Sequence, residues 1–164
     1  MRSWPQGVVV RGAAISRKLR TYCRLSGPER RLALGSILLV ALVRLGLWLM
    51  PLRTLERVCA YLGRPSRRGR AAEKREIVWA VRLAGRYIPQ STCLVLALAT
   101  RVLLGRHGYD AQVHIGVALD KKDEKHDFRA HAWVESQGEV LIGGAEERGR
   151  YAPILVLHAK PGNR

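Results

Sequence analysis

Residues 91–104, Ser91-Thr92-Cys93-Leu94-Val95-Leu96-Ala97-Leu98-Ala99-Thr100-Arg101-Val102-Leu103-Leu104, decide how this chain is read. Two hydroxyl residues precede a cysteine, and a nearly unbroken apolar run follows it. Ser and Thr favour the N-cap because their side-chain oxygen accepts a bond from an orphan N–H of the first turn. The stretch therefore predicts a helix whose first turn holds Cys93. Apolar on almost every side, such a helix must lie in the middle of a domain. The cysteine itself reads in two ways. Free cysteines commonly sit in cores as small apolar residues, but the unpaired N–H groups and positive dipole end of a helix also stabilise a thiolate.

Outward from this helix, length and charge set limits. A chain of 164 residues, 48% hydrophobic, can build one domain with a real core, or one domain with an extension. Its 29 Lys and Arg face 13 Asp and Glu, a formal charge of +16. An excess of that size implies an acidic partner: nucleic acid, an anionic membrane surface, or an acidic protein or peptide. The arginines are spread along the whole chain, with no zinc-finger spacing, aromatic-basic RNP pattern or lysine-rich tail, so no nucleic acid partner is expected. Cys23, Cys59 and Cys93 are odd in number and widely spaced, without CxxC pairs. Reduced thiols in a cytoplasmic protein are expected, with no metal site and no cofactor.

Residues 1–27 are basic and broken by Pro and Gly, without the apolar stretch and cleavage site of a signal peptide, and read as a flexible extension. A helical lead-in is expected over 28–87. Pro28-Glu29 suits a helix opening, and Leu32–Leu52 is the most hydrophobic stretch of the chain. Its uninterrupted run before Arg44 is about a dozen residues, short of the ~20 a membrane span needs. An arginine at mid-bilayer would cost ~2.5 kcal/mol or more. A packed helix and an interfacial or inserted segment are the two readings. Pro51 separates a second helix, Leu52–Leu62, and Ala71–Tyr87 predicts a third. The third carries an apolar stripe of Ile77, Ala80, Val81 and Ala84, with Arg75, Arg82 and Arg86 outside it.

After the Cys93 helix, closed by Gly108, the period changes to two. Val113, Ile115, Val117 and Leu119 alternate in a strand over 111–119. Strands follow over Phe128–Glu135 and Glu139–Ile142, joined by a turn at Ser136-Gln137-Gly138, and the last over Tyr151–Leu157. Helices first, then an antiparallel meander packed on the Cys93 helix, give an α+β fold. The core domain is expected over 88–158, with a tail over 159–164.

A cysteine hydrolase needs a base, normally His, and a group that orients it. His131, in Ala130-His131-Ala132-Trp133-Val134-Glu135, and His114 both fall on strands. Spacing alone does not rank one above the other. Trp133 and Glu135 share the face of His131 by alternation. Trp133 is either a wall of the site or an ordinary cross-strand packing residue.

TCLVLALATRVLLGRHGYDAQVHIGV followed by AHAWVESQGEVLIGG resembles the stand-alone leader peptidases (B-type proteins) of lasso-peptide biosynthesis. These are transglutaminase-like, papain-related cysteine hydrolases. The resemblance runs from about Pro28 to Leu157 and rests on CLxxALA and AHAWVE in that order. It implies a cysteine protease that removes the leader from a ribosomally made lasso precursor. Cys93 would be the nucleophile and His131 the general base, then acid, with the Cys93 N–H helping to hold the oxyanion. Gln90 is a candidate side-chain donor to the same oxyanion. The implied partners are a separate leader-binding protein, the precursor peptide and a lasso cyclase. A basic surface would suit an acidic adaptor or leader, or contact with a membrane, so the expected location is the cytoplasm, with or without membrane association.

At the third catalytic position the chain departs from the family pattern. Papain-related enzymes place an Asp or Asn on the strand after the His strand. A turn at Gln137-Gly138 sets His131 opposite Gly144, and a three-residue loop sets it opposite Gly143. Glu146, Glu147 and Asp127 are the remaining candidates, with Asp120 less direct; a carbonyl or a water is the other option. The missing acid keeps an alternative open: a non-catalytic interaction protein of the same fold, with Cys93 as a core thiol.

Overall fold

The computed structural model describes residues 26–65, 72–119, 128–144 and 151–158. Cys23, Asp120, Asp127, Glu146 and Glu147 lie outside these residues. Four helices, α1 (Gly27–Leu49), α2 (Leu52–Leu62), α3 (Lys74–Tyr87) and α4 (Cys93–Arg106), precede four strands. The strands are β1 (Gln112–Leu119), β2 (Phe128–Ser136), β3 (Glu139–Ile142) and β4 (Ala152–His158). The α+β class expected from the order of periods is the one found.

Local chemistry accounts for the boundaries. Pro51 takes the N-cap position of α2 in an extended conformation, which ends α1 at Leu49. A capping box between Glu73 and Glu76 starts α3 at Lys74. At the end of α4, Gly108 adopts φ +83° while the Tyr109 and Gly108 N–H groups donate to the Leu104 and Gly105 carbonyls. That is the left-handed helix stop that glycine favours.

The sheet runs in the order β3-β2-β1-β4, and every pair is antiparallel. Three strands form the expected meander, but β4 returns to β1 instead of adding to β3. The return is driven by apolar burial: Leu157 lands opposite Val113, and both are buried. The helix that opened the sequence reading lies at the centre. Val95, Leu98, Val102 and Leu104 of α4 join Val40 and Val43 of α1, Leu55 and Cys59 of α2, and Ile77 and Val81 of α3. Val113, Ala132 and Val134 of the sheet complete the same core. Burial pushes the Cys59 thiol up, with the Arg101 guanidinium pulling the other way, so that cysteine is an unreactive core group.

In α1 the usual pattern is inverted. Its buried face carries small or short residues, Ala33, Ser36, Val40, Val43 and Gly46. Its outer face carries Leu34, Leu38, Leu42, Leu45, Trp48 and Leu49, all exposed, with Trp48 at 86%. Among the described residues it is the one helix long and apolar enough to cross a membrane, yet only 28% of its most apolar window is buried. A core helix of a soluble domain would hide its leucines.

His107 caps α4, and its Nδ1 accepts the Ala72 N–H at 3.1 Å. Burial, helped by neighbouring Arg106 and opposed by Glu76, lowers its pKa from 6.5. The unfolded chain therefore takes up this proton first as pH falls, so stability is complete above about pH 6.5 and declines toward the lower folded value. Urea midpoints should drop between pH 7 and 5 in the wild type, and the drop should shrink in His107→Asn. An unchanged pH slope in that variant would remove His107 as its source.

Candidate active site

Cys93 is the first residue of α4, and Thr92 Oγ1 accepts the Val95 N–H at 3.4 Å. Of the two hydroxyl residues, Thr92 is thus the cap. Ser91 donates instead to the Gly85 carbonyl at 2.9 Å, tying the approach loop to the last turn of α3. The thiol is half-buried against the edge of the core. Just before it, Gln90 holds φ +58°, a conformation that non-glycine residues rarely adopt.

Arg44 explains how that turn is held. From α1 its guanidinium donates to the Pro89 carbonyl and, at 2.7 Å, to Gln90 Oε1. In the sequence this arginine read only as an interruption of an apolar run. In the fold it clamps the loop that delivers Cys93. The amide oxygen of Gln90 is engaged by Arg44, so its amide N–H groups are what it can still offer as a donor.

On β2, Ala132 and Val134 enter the core with α4, while His131, Trp133 and Glu135 take the other face, as alternation requires. There Trp133, only 3% exposed, stacks on His114 across the strands, at 5.3 Å between ring centroids and 10° between planes. It also stacks on His131, at 6.4 Å and 17°, and the Tyr151 ring lies 5.1 Å from the same His131 imidazole. Gly116, opposite His131, makes room for the indole: a Cβ there would come within 2.9 Å of Trp133 Cζ3.

A backbone carbonyl bonds the His131 ring. His131 Nε2 lies 2.7 Å from Gly143 O. Since a carbonyl only accepts, Nε2 carries the proton of the neutral ring, which makes Nδ1 the lone-pair nitrogen. The register differs from both sequence-based expectations. Gln137 and Gly138, both at positive φ, form the expected two-residue turn, and Ser136 faces Glu139. Between Val134 and Glu135 a bulge then adds a residue on β3, setting Val134 opposite Ile142. The shift brings Gly143 beside Trp133, so neither Gly143 nor Gly144 stands opposite His131.

The described acid on this face is Glu135, whose Oε2 lies 3.7 Å from His114 Nε2. Chain direction separates the two histidines. The end of α4 lies by the β2–β3 turn, where Ser136 Oγ donates to the Asp110 carbonyl at 2.5 Å. His131 is farther from that turn, but it is Ala132 and Val134, not His131, that face α4. His114, paired with Trp133, is nearer the turn.

A profile of the transglutaminase-like superfamily matches residues 37–156, which takes in Arg44, Cys93, His131 and Gly143. No curated protein matches the chain, and no solved structure does. With a match over most of its length, this α+β chain belongs to the transglutaminase-like superfamily, which includes cysteine peptidases.

Proposed function

We propose that the chain is a cysteine peptidase that removes the leader from a ribosomally made lasso precursor, with Cys93 as nucleophile and His131 as base. The observation that carries this reading is the His131 Nε2 bond to Gly143 O, which orients the imidazole and leaves Nδ1 as its proton acceptor. Nδ1 takes the Cys93 proton, and the thiolate attacks the scissile carbonyl carbon to form a C–S bond. The Cys93 N–H, with the Gln90 amide as a second donor, stabilises the oxyanion. The imidazolium then protonates the departing amine. Water, activated by the same nitrogen, hydrolyses the thioester and restores the thiol.

The partners in this reading are a leader-binding protein that presents the precursor and a cyclase that closes the freed peptide, with no role for nucleic acid. Incubating the chain with precursor and leader-binding protein, read by mass, should release the leader. A precursor still intact with both present would reject the reading. The second reading, a non-catalytic interaction protein of the same fold, is favoured by one feature: Gly143 offers the imidazole a dipole where a carboxylate would offer a charge.

The location proposed is the cytoplasmic face of a membrane. The outward leucine and Trp48 stripe of α1, on a chain of charge +16, suits an anionic bilayer surface. The protein should float with anionic vesicles and not with neutral ones, and Leu38→Ser with Leu42→Ser should abolish flotation. Flotation unaffected by those changes would place the contact elsewhere.

A further inference from the structure

The three arginines left outside the apolar stripe of α3 share a surface. Arg75, Trp79, Arg82 and Arg86 recur at helical spacing, so they form one exposed stripe along the helix. With Val140 and Leu141 of β3 this stripe lines a groove of about 740 Å³. β3 is an edge strand, and its outer side pairs with no strand among the described residues. Arg82 reaches across and donates to the Leu141 carbonyl at 3.3 Å.

Helix and strand run in the same direction. Lys74 Nζ meets Gln137 Oε1 at 2.7 Å by the hairpin turn, and Arg82 meets Leu141 further on. The groove therefore leads from the turn toward Gly143, whose carbonyl holds His131. Two acids border it, Glu73, engaged in the α3 capping box, and Glu139 at the start of β3, against the four cations Lys74, Arg75, Arg82 and Arg86.

We infer that this groove docks an extended acidic peptide segment and, resting on the peptidase reading, that the segment belongs to the substrate. Three features favour a peptide over another polyanion. A free strand edge offers backbone donors and acceptors at the spacing of an extended chain. Trp79 and Val140 supply an apolar floor. The guanidinium spacing also fits. At ~1.5 Å per residue, Arg82 and Arg86 are about 6 Å apart along the axis, matching two residues of strand at ~3.3 Å each. Arg75 and Arg82 are about 10 Å apart, or three such residues. Carboxylates two residues apart thus fall on Arg82 and Arg86, in the bidentate geometry that guanidinium favours.

The test uses the full chain carrying Cys93→Ala, so that binding is read without cleavage. The probe is a fluorescein-labelled decapeptide with Glu at alternate positions, compared by anisotropy with its Gln counterpart. The Glu peptide should bind at least tenfold more tightly. Arg75→Glu with Arg82→Glu and Arg86→Glu should reduce its affinity by a further tenfold or more. Arg53→Glu with Arg57→Glu and Arg64→Glu, an equal change of charge away from the groove, should leave binding nearly intact. Arg75→Gln with Arg86→Gln spares the Leu141 contact and should weaken binding in a chain that still folds. Equal losses from the two triple variants, or displacement of the peptide by an oligonucleotide of equal charge as readily as by unlabelled peptide, would overturn the inference. Cleavage of precursor at an unchanged rate by the groove variants would overturn it while sparing the peptidase reading. A wild type that binds the peptide but cuts no precursor would overturn that reading while leaving the groove.

Discussion

Replacing Cys93 by Ala should abolish leader removal and leave the protein folded. Loss of a nucleophile removes the covalent path, so cleavage of the precursor should fall at least ~10³-fold. The structural cost should be small. Cys93 is half-buried at the rim of the core, and trimming one sulfur there should cost under about 1 kcal/mol. Cys59 provides the opposite case: it is 1% exposed in the middle of the helices, and Cys59→Ala should lower the melting temperature while cleavage persists. Thiol labelling separates the two in one experiment. Iodoacetamide under native conditions should modify Cys93 and spare Cys59, with peptide mapping as the readout. His131→Ala should match Cys93→Ala in lost cleavage and leave the Cys93 thiol accessible. A Cys93→Ala protein that cuts at the wild-type rate would end the peptidase reading, and the interaction-protein reading would take its place.

Gly143→Ala should lower both stability and cleavage, because two constraints meet at this residue. Its φ of +102° lies where L side chains are strained. A Cβ would also stand 2.8 Å from Trp133 Cα and 2.9 Å from the Ala132 carbonyl, and closer still to Trp133 Cβ. Backbone atoms of a central strand cannot move aside cheaply, so strain and overpacking together should cost roughly 2–4 kcal/mol. The displaced carbonyl would no longer hold His131, and cleavage should fall further than stability alone explains. Gly138→Ala is the control. It carries a positive φ of +80° but no neighbour within 4 Å of a Cβ, so it should cost only about 1 kcal/mol and leave cleavage intact. Gly143→Asp has particular interest, since papain-related enzymes carry an acid near this point. On this backbone the added carboxylate would collide with β2, so activity should drop. A gain of activity would mean that the strand relaxes and that the carbonyl is a poor substitute for an acid. Equal behaviour of Gly143→Ala and Gly138→Ala would remove any special role for the carbonyl.

Much of this was legible in the chain. Ser91-Thr92 before Cys93 announced a cap, Pro51 the break between two helices, and Gln137-Gly138 the hairpin, because each acts through its immediate neighbours. The alternation over 111–119 and 128–135 announced β1 and β2 and set His131, Trp133 and Glu135 on one face. Arg44 was misleading in sequence, because its partners Pro89 and Gln90 lie 45 and 46 residues away. The arginines of α3 read as a solvated face until β3 was seen to run beside them.

By itself, then, the sequence determined the elements and the faces of the strands. These follow from caps, turn residues and period, all short-range properties of the chain. Tertiary structure alone decided that β4 returns to β1, that a bulge displaces Gly143 from the position opposite His131, and that a backbone carbonyl bonds the ring. A bulge and a strand order have no local signature, because both are settled by how apolar faces are buried together.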